Sequence, residues 1–429
     1  MTLSLGIDIG TSGLRAATVD TTGNVLSLSH EEHLPQISKK IDAELWWQSV
    51  KSLIIRNLSN LRKIGVNPLE ILSLTVDGTS GSLLLTDANL QPVTRALMYN
   101  STGFGEEAKT IAKVAPKTSI TQGNNSALAR AMRLISEDKD GRARHIMSQA
   151  DFIAAKLIQS GGKSDQNNTL KLGYDPKSEC WPEWIKNLEI NFKLLPKVYP
   201  VGKPLDLIAS PIAVELGLSK DLVVHAGTTD SIASFLSCAP LRKGAAVTSL
   251  GSTLTVKILC ETHIEDANIG LYSHKIGDYW LAGGASNSGG NVLKKYFSTE
   301  ELVNLSGKIE PSTSSGLNYY PLIKPGERFP VNKPNLQPRL NPRPKEDSIF
   351  LKGIFEGIAR IEKECYSSIS DRGGGFPKCI LTTGGGANNP VWTRIRRRAL
   401  GVIVQPGTTT EAAVGAAKIP YLFKSKVDR

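Results

Sequence analysis

Residues 3–20 read LSLGIDIGTSGLRAATVD, and the fold turns on them. Leu3, Leu5, Ile7 and Ile9 alternate with small or polar residues. Gly10-Thr11-Ser12-Gly13 interrupts the run, and Leu14 to Asp20 resumes it with small and β-branched residues. A period of two broken by a glycine-rich corner predicts a β-hairpin. Downstream, Leu45, Trp46, Val50, Leu53, Ile54, Leu58 and Leu61 fall at helical spacing, and Ile71 to Val76 runs as a buried strand into the turn Asp77-Gly78-Thr79-Ser80-Gly81. Strands alternating with helices imply α/β layers.

The opening pattern is echoed later. Ala245 to Leu250 is apolar and ends in Gly251-Ser252-Thr253, Leu254 to Leu259 returns as a second strand, and Gly10 and Gly251 lie 241 residues apart. Cys379 to Leu381 runs into Thr382-Thr383-Gly384-Gly385-Gly386, much as Ile71 to Val76 runs into its own glycine-bearing turn. Two similarly ordered halves predict an internal duplication with a cleft between them. The boundary falls near Ser237 to Gly244, where a helix-like stretch ends at Ala239-Pro240. Thr408 and Glu411 make a T-x-x-E capping box ahead of Ala412, Ala413, Gly415, Ala416 and Ala417, small residues that suit a closely packed helix returning across the cleft. The six prolines between Pro325 and Ser348 read as an exposed irregular loop.

A chain of 429 residues amounts to two or three domains at roughly 150 residues each, and buries a core without disulfide or metal staples. Its 5 cysteines are scattered and never spaced CxxC, which suits a reducing compartment: the cytosol, or the plastid stroma for a plant chain whose transit segment has been removed. No apolar run approaches the roughly 18 to 20 residues that span a bilayer, and Met1-Thr2-Leu3 leads straight into the first strand without a leader pattern, so no membrane partner is expected. The net charge of +11 suits nucleic acid, a membrane surface or an anionic small substrate such as a nucleotide equally, and composition does not choose among them. Basic residues are dispersed except at Arg394, Arg396, Arg397 and Arg398, with no interleaved aromatics, and nucleic acid is not an expected partner. A monomer and a homodimer are both compatible with these features.

Two common nucleotide loops are missing. Gly162-Lys163-Ser164 imitates the tail of GxxxxGK[ST], but Leu157 stands where the first glycine belongs; Gly384 to Asn389 follows GxGxxG only until its last position. What remains is carboxylates beside glycine corners. Asp8 precedes Gly10-Thr11-Ser12, where glycines let backbone N–H groups approach phosphate and hydroxyls add donors. A carboxylate there repels phosphate directly but holds it through Mg²⁺, often across water. The alternative is a turn aspartate bonding its own backbone. Asp230 follows the strand Leu222 to Val224 and the turn Ala226-Gly227-Thr228-Thr229 and opens a helix-like stretch. Position alone favours a helix cap; the functional alternative is a general base taking a proton from a substrate hydroxyl. Gly384-Gly385-Gly386-Ala387-Asn388-Asn389-Pro390 leads into a helix from Val391 to Leu400, with Asn388 or Asn389 as cap. Three consecutive glycines exceed what a turn requires and allow close approach of a flat ligand such as adenine, with Trp392 either covering it or packed in the core.

In this order the pieces resemble the FGGY family of carbohydrate kinases, over nearly the whole chain. Ile7 to Asp20 is similar to that family's first phosphate motif, Ala226 to Phe235 to its catalytic-aspartate segment, and Ser249 to Val256 to its second phosphate motif. Leu381 to Trp392 resembles its adenosine motif, Glu411 to Ala417 its last connecting helix, and Pro321 to Pro330 its Pro-x-x-x-Gly-Glu-Arg loop. The resemblance implies an α/β fold of the actin-like ATPase (ribonuclease H-like) type, two duplicated α/β domains with a central ATP and sugar cleft. A sugar-binding domain would span 1–237 plus 411–429 and a nucleotide-binding domain 238–410. It implies ATP and Mg²⁺ as cofactors, Asp230 as general base, and Asp8 and Thr11 beside it, Asp8 also serving the metal through water. Nucleotide contacts would come from Gly10, Thr11, Ser12, Gly251, Ser252, Thr253, Gly385, Gly386, Asn389 and Trp392, and the sugar would meet Asp8, Ser80 and Asp230. Met98-Tyr99-Asn100-Ser101-Thr102 stands where many relatives carry Trp-x-Asp-x-Arg, leaving a lean pocket that is similar to those of short plant and cyanobacterial xylulokinase-like members. The expected substrate is a ketopentose, D-ribulose first and D-xylulose second. The rivals are another polyol kinase and a nucleotide-binding regulatory protein without sugar turnover.

Overall fold

The computed structural model of the chain describes residues 2–11, 13–33, 41–188 and 190–423. Ser12, part of the expected first phosphate corner, lies outside the described residues, as do positions 424–429 of the C-terminal segment. The chain divides into two units, Met1–Ser237 with Glu411–Arg429, and Cys238–Thr410. Among the described residues no helix is long and apolar enough to cross a membrane.

The strands of the first unit are β1 (Leu3–Ile9), β2 (Leu14–Val19), β3 (Val25–Glu31), β4 (Ile71–Gly78), β5 (Leu83–Thr86), β6 (His145–Ser148), β7 (Lys163–Asp165), β8 (Lys197–Tyr199), β9 (Pro204–Leu207) and β10 (Val223–Thr229). Six of them form one sheet in the order β3-β2-β1-β4-β10-β9, while β5 pairs with β6 and β7 with β8. β1, β4 and β10 run parallel, and the expected hairpin pairs β1 with β2 antiparallel from Ser4 opposite Val19 to Ile9 opposite Leu14.

Alternation along β1 does not separate core from solvent, because every residue of the strand is buried. Leu3, Leu5, Ile7 and Ile9 pack with Trp46, Val50, Leu53 and Ile54 of the helix Ala43–Lys63, which Asp42 caps. The small residues face a second helix, Ala412–Leu422. A Cβ on Gly6 would lie 2.0 Å from the Ala413 carbonyl oxygen, and Ala413, Val414 and Ala417 pack on Ala17 and Val19. The pattern is therefore large against small, each face covered by its own helix. The T-x-x-E capping box does not form: the helix begins after Glu411, whose side chain caps nothing and instead lies 3.0 Å from Arg15 Nε.

The C-terminal helix also touches the helix Asp230–Cys238, with a Cβ on Gly415 only 1.7 Å from the Ala233 carbonyl oxygen. Gly415→Ala is therefore expected to cost about 3 kcal/mol, the upper end for overpacking a tight interior. Denaturant unfolding checks it; an unchanged midpoint would show that the helices separate without cost.

In the second unit β11 (Ala246–Leu250), β12 (Leu254–Cys260), β13 (Tyr272–Ile276), β14 (Tyr279–Ser286), β15 (Cys379–Thr383) and β16 (Ile403–Pro406) form a sheet in the order β13-β14-β12-β11-β15-β16. β12-β11-β15-β16 repeats the wiring of β2-β1-β4-β10: an antiparallel hairpin, then two parallel neighbours. The duplication thus holds in topology, which is the actin-like arrangement. Helices Asp347–Ile369 and Pro390–Leu400 cover this sheet through Phe350, Ile354, Ile358, Ile361, Trp392 and Ile395.

The proline-rich stretch is irregular as expected, but it is not simply exposed. Glu327, 2% accessible, accepts hydrogen bonds from Ser286 Oγ (2.7 Å), the Asn287 N–H (2.6 Å) and Tyr320 Oη (3.1 Å), which ties the loop to the end of β14.

Candidate active site

In the first unit the ends of β1, β4 and β10 bring three carboxyl groups to one edge. Asp8 stands opposite Asp77 across the parallel β1/β4 pair, Asp77 opposite Thr228 across β4/β10, and Asp230 lies two residues further along the chain. Ala226-Gly227-Thr228-Thr229, expected as a turn, is strand. Its register against β4 slips between His225 and Thr228, and a Cβ on Gly227 would fall 1.9 Å from the Val76 carbonyl oxygen. A bulge re-aims the side chains beyond it, and here it delivers Asp230 as the first residue of its helix.

The three carboxyls differ in exposure. Asp77 is wholly buried, Asp8 is 5% accessible and Asp230 is half-buried. Burial pushes the Asp8 carboxyl up to about 6; its contact with Asp77 pulls it down, the charge on Asp230 pushes it up, and Arg15, 3.4 Å from Asp8 Oδ2, pulls it down. Burial also drives Asp77 well above the ordinary carboxylate range, helped by the charges of Asp8 and Asp230. Among the described residues no donor group serves either Asp77 oxygen, so its contact with Asp8 is favourable only with a proton between the two. Asp77 is absent from the candidates that the sequence offers, because its segment reads as a turn; it is the last residue but one of β4.

A polar brace holds β10 behind this edge. Asp165 accepts from the Asn167 and Asn168 N–H groups (2.8 and 3.0 Å) and from Asn168 Nδ2 (2.6 Å), while Asn167 Nδ2 donates to Thr228 Oγ1 at 3.0 Å. Burial and then the Asp151 charge push Asp165 up to about 7, and the Asn168 amide pulls it back. The Gly-Lys-Ser triplet that imitates a phosphate loop belongs to this support: Lys163 Nζ lies 3.0 Å from Asp206 and Ser164 Oγ donates to Asp151 at 2.8 Å.

Each unit carries a glycine corner between the strands of its opening hairpin. The Gly10 N–H donates to the Gly13 carbonyl at 3.0 Å and the Gly251 N–H to the Thr253 carbonyl at 3.2 Å, so both amides are consumed by their turns. Gly10 and Gly251 therefore shape the corners, and Thr11 and Ser252 beside them are exposed. In the second unit Gly290 seals the corner, since a Cβ there would lie 2.5 Å from the Gly251 carbonyl oxygen.

The glycine triplet after β15 divides its tasks. Gly384 has φ of 79° and passes close over Leu250, Gly386 lies on Leu250 and Trp392, and only Gly385 borders open space. Asn389, not Asn388, is the cap: its Oδ1 accepts from the Val391 and Trp392 N–H groups at 3.1 and 2.9 Å, and its Nδ2 donates to Ser306 Oγ at 2.8 Å. The expectation that Trp392 lines an adenine pocket is corrected. Trp392 is 2% accessible, stacks on Phe355 at 4.7 Å and donates its Nε1–H to the Phe355 carbonyl at 3.3 Å, so it forms the floor under Gly386. Trp392→Ala should cost about 3–5 kcal/mol of stability, as for other buried aromatics. Calorimetry against the wild type checks this, and unchanged stability with weakened ATP binding would return Trp392 to the ligand.

The arginine cluster is mostly structural. Arg396 is wholly buried against Glu362, Arg397 Nε donates to the Val404 carbonyl at 2.7 Å, and Arg398 pairs with Glu356. Among the described residues no group of three or more His, Cys, Asp or Glu side chains is placed to hold a metal ion.

Comparison with known proteins extends over both units. Residues 3–237 match the model of the N-terminal domain of the FGGY family of carbohydrate kinases, and residues 246–420 that of its C-terminal domain. A xylulose kinase of Staphylococcus epidermidis is 25% identical over 447 aligned residues, which cover 96% of this chain and 87% of that protein. Among solved structures, the xylulose kinase from Rhodospirillum rubrum superposes with a TM-score of 0.86 at 19% identity, over 99% of this chain and 90% of the other. Plasmodium falciparum glycerol kinase with ADP gives 0.83 at 16% identity, over 100% and 91%.

Proposed function

We infer that this chain, which belongs to the FGGY family of carbohydrate kinases, transfers the γ-phosphate of ATP to the terminal hydroxyl of a ketopentose. That it is an ATP-dependent sugar kinase follows from the family; the acceptor is our reading. One observation carries it: of three carboxyls gathered at one strand edge, Asp8 and Asp77 are closed in and Asp230 alone stays half open. An open carboxylate beside a buried acidic pair is placed to accept the proton of an entering hydroxyl. Phosphoryl transfer demands mainly alignment and charge neutralisation, with general base catalysis adding about 10²- to 10⁴-fold.

In this reading Asp230 is the general base and Ser80, whose hydroxyl is enclosed without a protein partner among the described residues, offers itself to the sugar. In the first unit Thr11 is the corner hydroxyl offered to phosphate; in the second unit Ser252 is its counterpart, Thr253 supports that corner, and Gly385 borders the adenine. Mg²⁺ arrives with the triphosphate as part of the substrate, and the residues present fit that role: Asp8, a carboxylate beside the first corner, is mostly closed in and already 3.4 Å from Arg15, which suits contact across water.

D-Xylulose becomes the first candidate because relatives spanning nearly the whole chain bear the name xylulose kinase. D-Ribulose is kept as the second reading, since residues 98–102 lack the Trp-x-Asp-x-Arg segment. A coupled ADP-release assay over D-xylulose, D-ribulose, aldopentoses, gluconate and glycerol tests both. Stimulation by a ketopentose above all others is expected. ATP binding with no sugar-stimulated turnover would favour the regulatory rival and overturn the reading.

A further inference from the structure

The strand edge that carries Asp8 and Asp230 also encloses a donor that the protein leaves unused. Gln149 is wholly buried at the start of the helix Gln149–Ile158. Its Oε1 accepts from the Thr79 N–H at 3.3 Å and from Thr79 Oγ1 at 2.8 Å, and its own backbone N–H donates to the Ser82 carbonyl at 3.1 Å. Because a backbone N–H can only donate, the amide orientation is settled: the carbonyl oxygen faces Thr79 and the NH₂ group turns elsewhere. That NH₂ has no acceptor among the described residues.

The place of this side chain is defined by Gly78. A Cβ there would come 3.5 Å from Gln149 Oε1 and 3.3 Å from the Ala150 nitrogen, so the carboxamide lies against the last residue of β4. Gly78 stands opposite Ile9 on one side and Thr229 on the other, the residues next to Asp8 and Asp230. The hydroxyls of Ser80 and Thr229 at the same edge are also enclosed and unpartnered among the described residues. Buried polar groups are nearly always satisfied, and exceptions concentrated at the carboxyl ends of parallel strands mark the place where a ligand completes them.

An amide NH₂ is donor-only, so it asks for an acceptor. A 2-ketopentose phosphorylated at its terminal oxygen must react in the open-chain form, because that oxygen is the one that would close the furanose ring. The open chain carries one acceptor-only group, the C2 carbonyl; the C2 hydroxyl of a pentitol also accepts, but it brings a proton that the amide NH₂ cannot take up. We propose that Gln149 Nε2 donates a hydrogen bond to the C2 carbonyl oxygen of the acceptor and so sets the preference for a ketopentose over the pentitol reduced at C2. The proposal rests on the ketopentose reading and names the residue that would enforce it.

The test compares the purified wild type with Gln149→Met, of similar length but without a donor, and Gln149→Glu, which keeps the acceptor facing Thr79 and replaces the donor. For each, kcat/KM is measured for D-xylulose and D-ribulose and for xylitol and ribitol, with the KM for ATP and the thermal midpoint. The wild type should prefer the ketopentose. In Gln149→Met its kcat/KM should fall about 10- to 100-fold, the range for losing a matched buried hydrogen bond, while that for the pentitol falls less than about threefold and the KM for ATP holds. A ketose-to-pentitol ratio unchanged in both variants overturns the proposal, as does a parallel fall for both substrates accompanied by a lowered midpoint, which marks a structural role. If neither variant folds, the wild type decides: turnover of a ketopentose without preference over its pentitol overturns the assignment of Gln149 alone. A wild type that turns over no sugar overturns the ketopentose reading itself.

Discussion

Asp230→Asn should lower kcat by about 10² to 10⁴, the contribution of a positioned general base, while leaving the fold in place. The substitution separates the two roles that position alone assigns to Asp230. As a helix-opening residue it accepts from the Ser231 N–H at 2.6 Å, and asparagine can accept the same bond. Asn is as good a residue as Asp at a helix start, whereas Ala costs about 1 kcal/mol there. A purely structural Asp230 would therefore make the asparagine variant silent and the alanine variant slightly unstable. A catalytic Asp230 makes both inactive, with nearly equal loss. The electrostatics adds a second expectation. The charge on Asp230 pushes both Asp8 and Asp77 upward, so removing it relieves repulsion within a buried cluster, and the variant should unfold no sooner than the wild type. Steady-state kinetics with thermal-shift measurements in ATP and in sugar decide the matter: wild-type turnover in Asp230→Asn would remove this residue from the chemistry.

Much of this edge is legible in the sequence, and the misses have definite causes. The hairpin corners at Gly10 and Gly251 follow from alternation broken by glycine, both of them local signals. That β1 is covered on both faces is not local, because the covering helix Ala412–Leu422 lies some four hundred residues on; Gly6 makes sense only in contact with that helix, and Gly415 only in the helix's contact with Ala233. Asp77 meets the criterion that selects Asp8, a carboxylate beside a strand-end glycine, yet its assignment to a turn hides it; β4 in fact runs on through Gly78. The capping box at Thr408 fails because Glu411 is drawn to Arg15, a partner set by tertiary structure. Trp392 reads as a ligand contact because it follows a glycine loop, but the face of its indole is taken by Phe355, again a distant partner. Gln149 gives no signal in the sequence at all; only its unpartnered amide in the folded chain does.

The second large effect is expected in the other unit, at Glu362. Arg396 donates to this carboxylate from Nε and Nη2 at 2.7 and 2.6 Å, both side chains being wholly buried, and Arg396 Nη1 also donates to Thr382 Oγ1 at 2.7 Å. On the other side Thr248 Oγ1 donates to Glu362 at 2.6 Å and meets the Tyr366 hydroxyl at 2.9 Å. The network thus joins β11, which ends in the Gly251 corner, to β15, which ends in the Gly384 loop. Glu362→Gln keeps the shape but strands the guanidinium in the interior without a counter-charge, at a cost of about 3–5 kcal/mol. At roughly 2–4 °C per kcal/mol for a domain of this size, the second unit should melt about 6–20 °C below the wild type. Removing both charges, as in Glu362→Met with Arg396→Met, should cost much less than the two single changes summed, because the desolvation of the pair disappears along with its attraction. Calorimetry of the two single variants and the double variant closes this cycle. A Glu362→Gln protein as stable as the wild type would mean that water reaches Arg396, and that the Gly251 corner and the Gly384 loop are held together by something other than this pair.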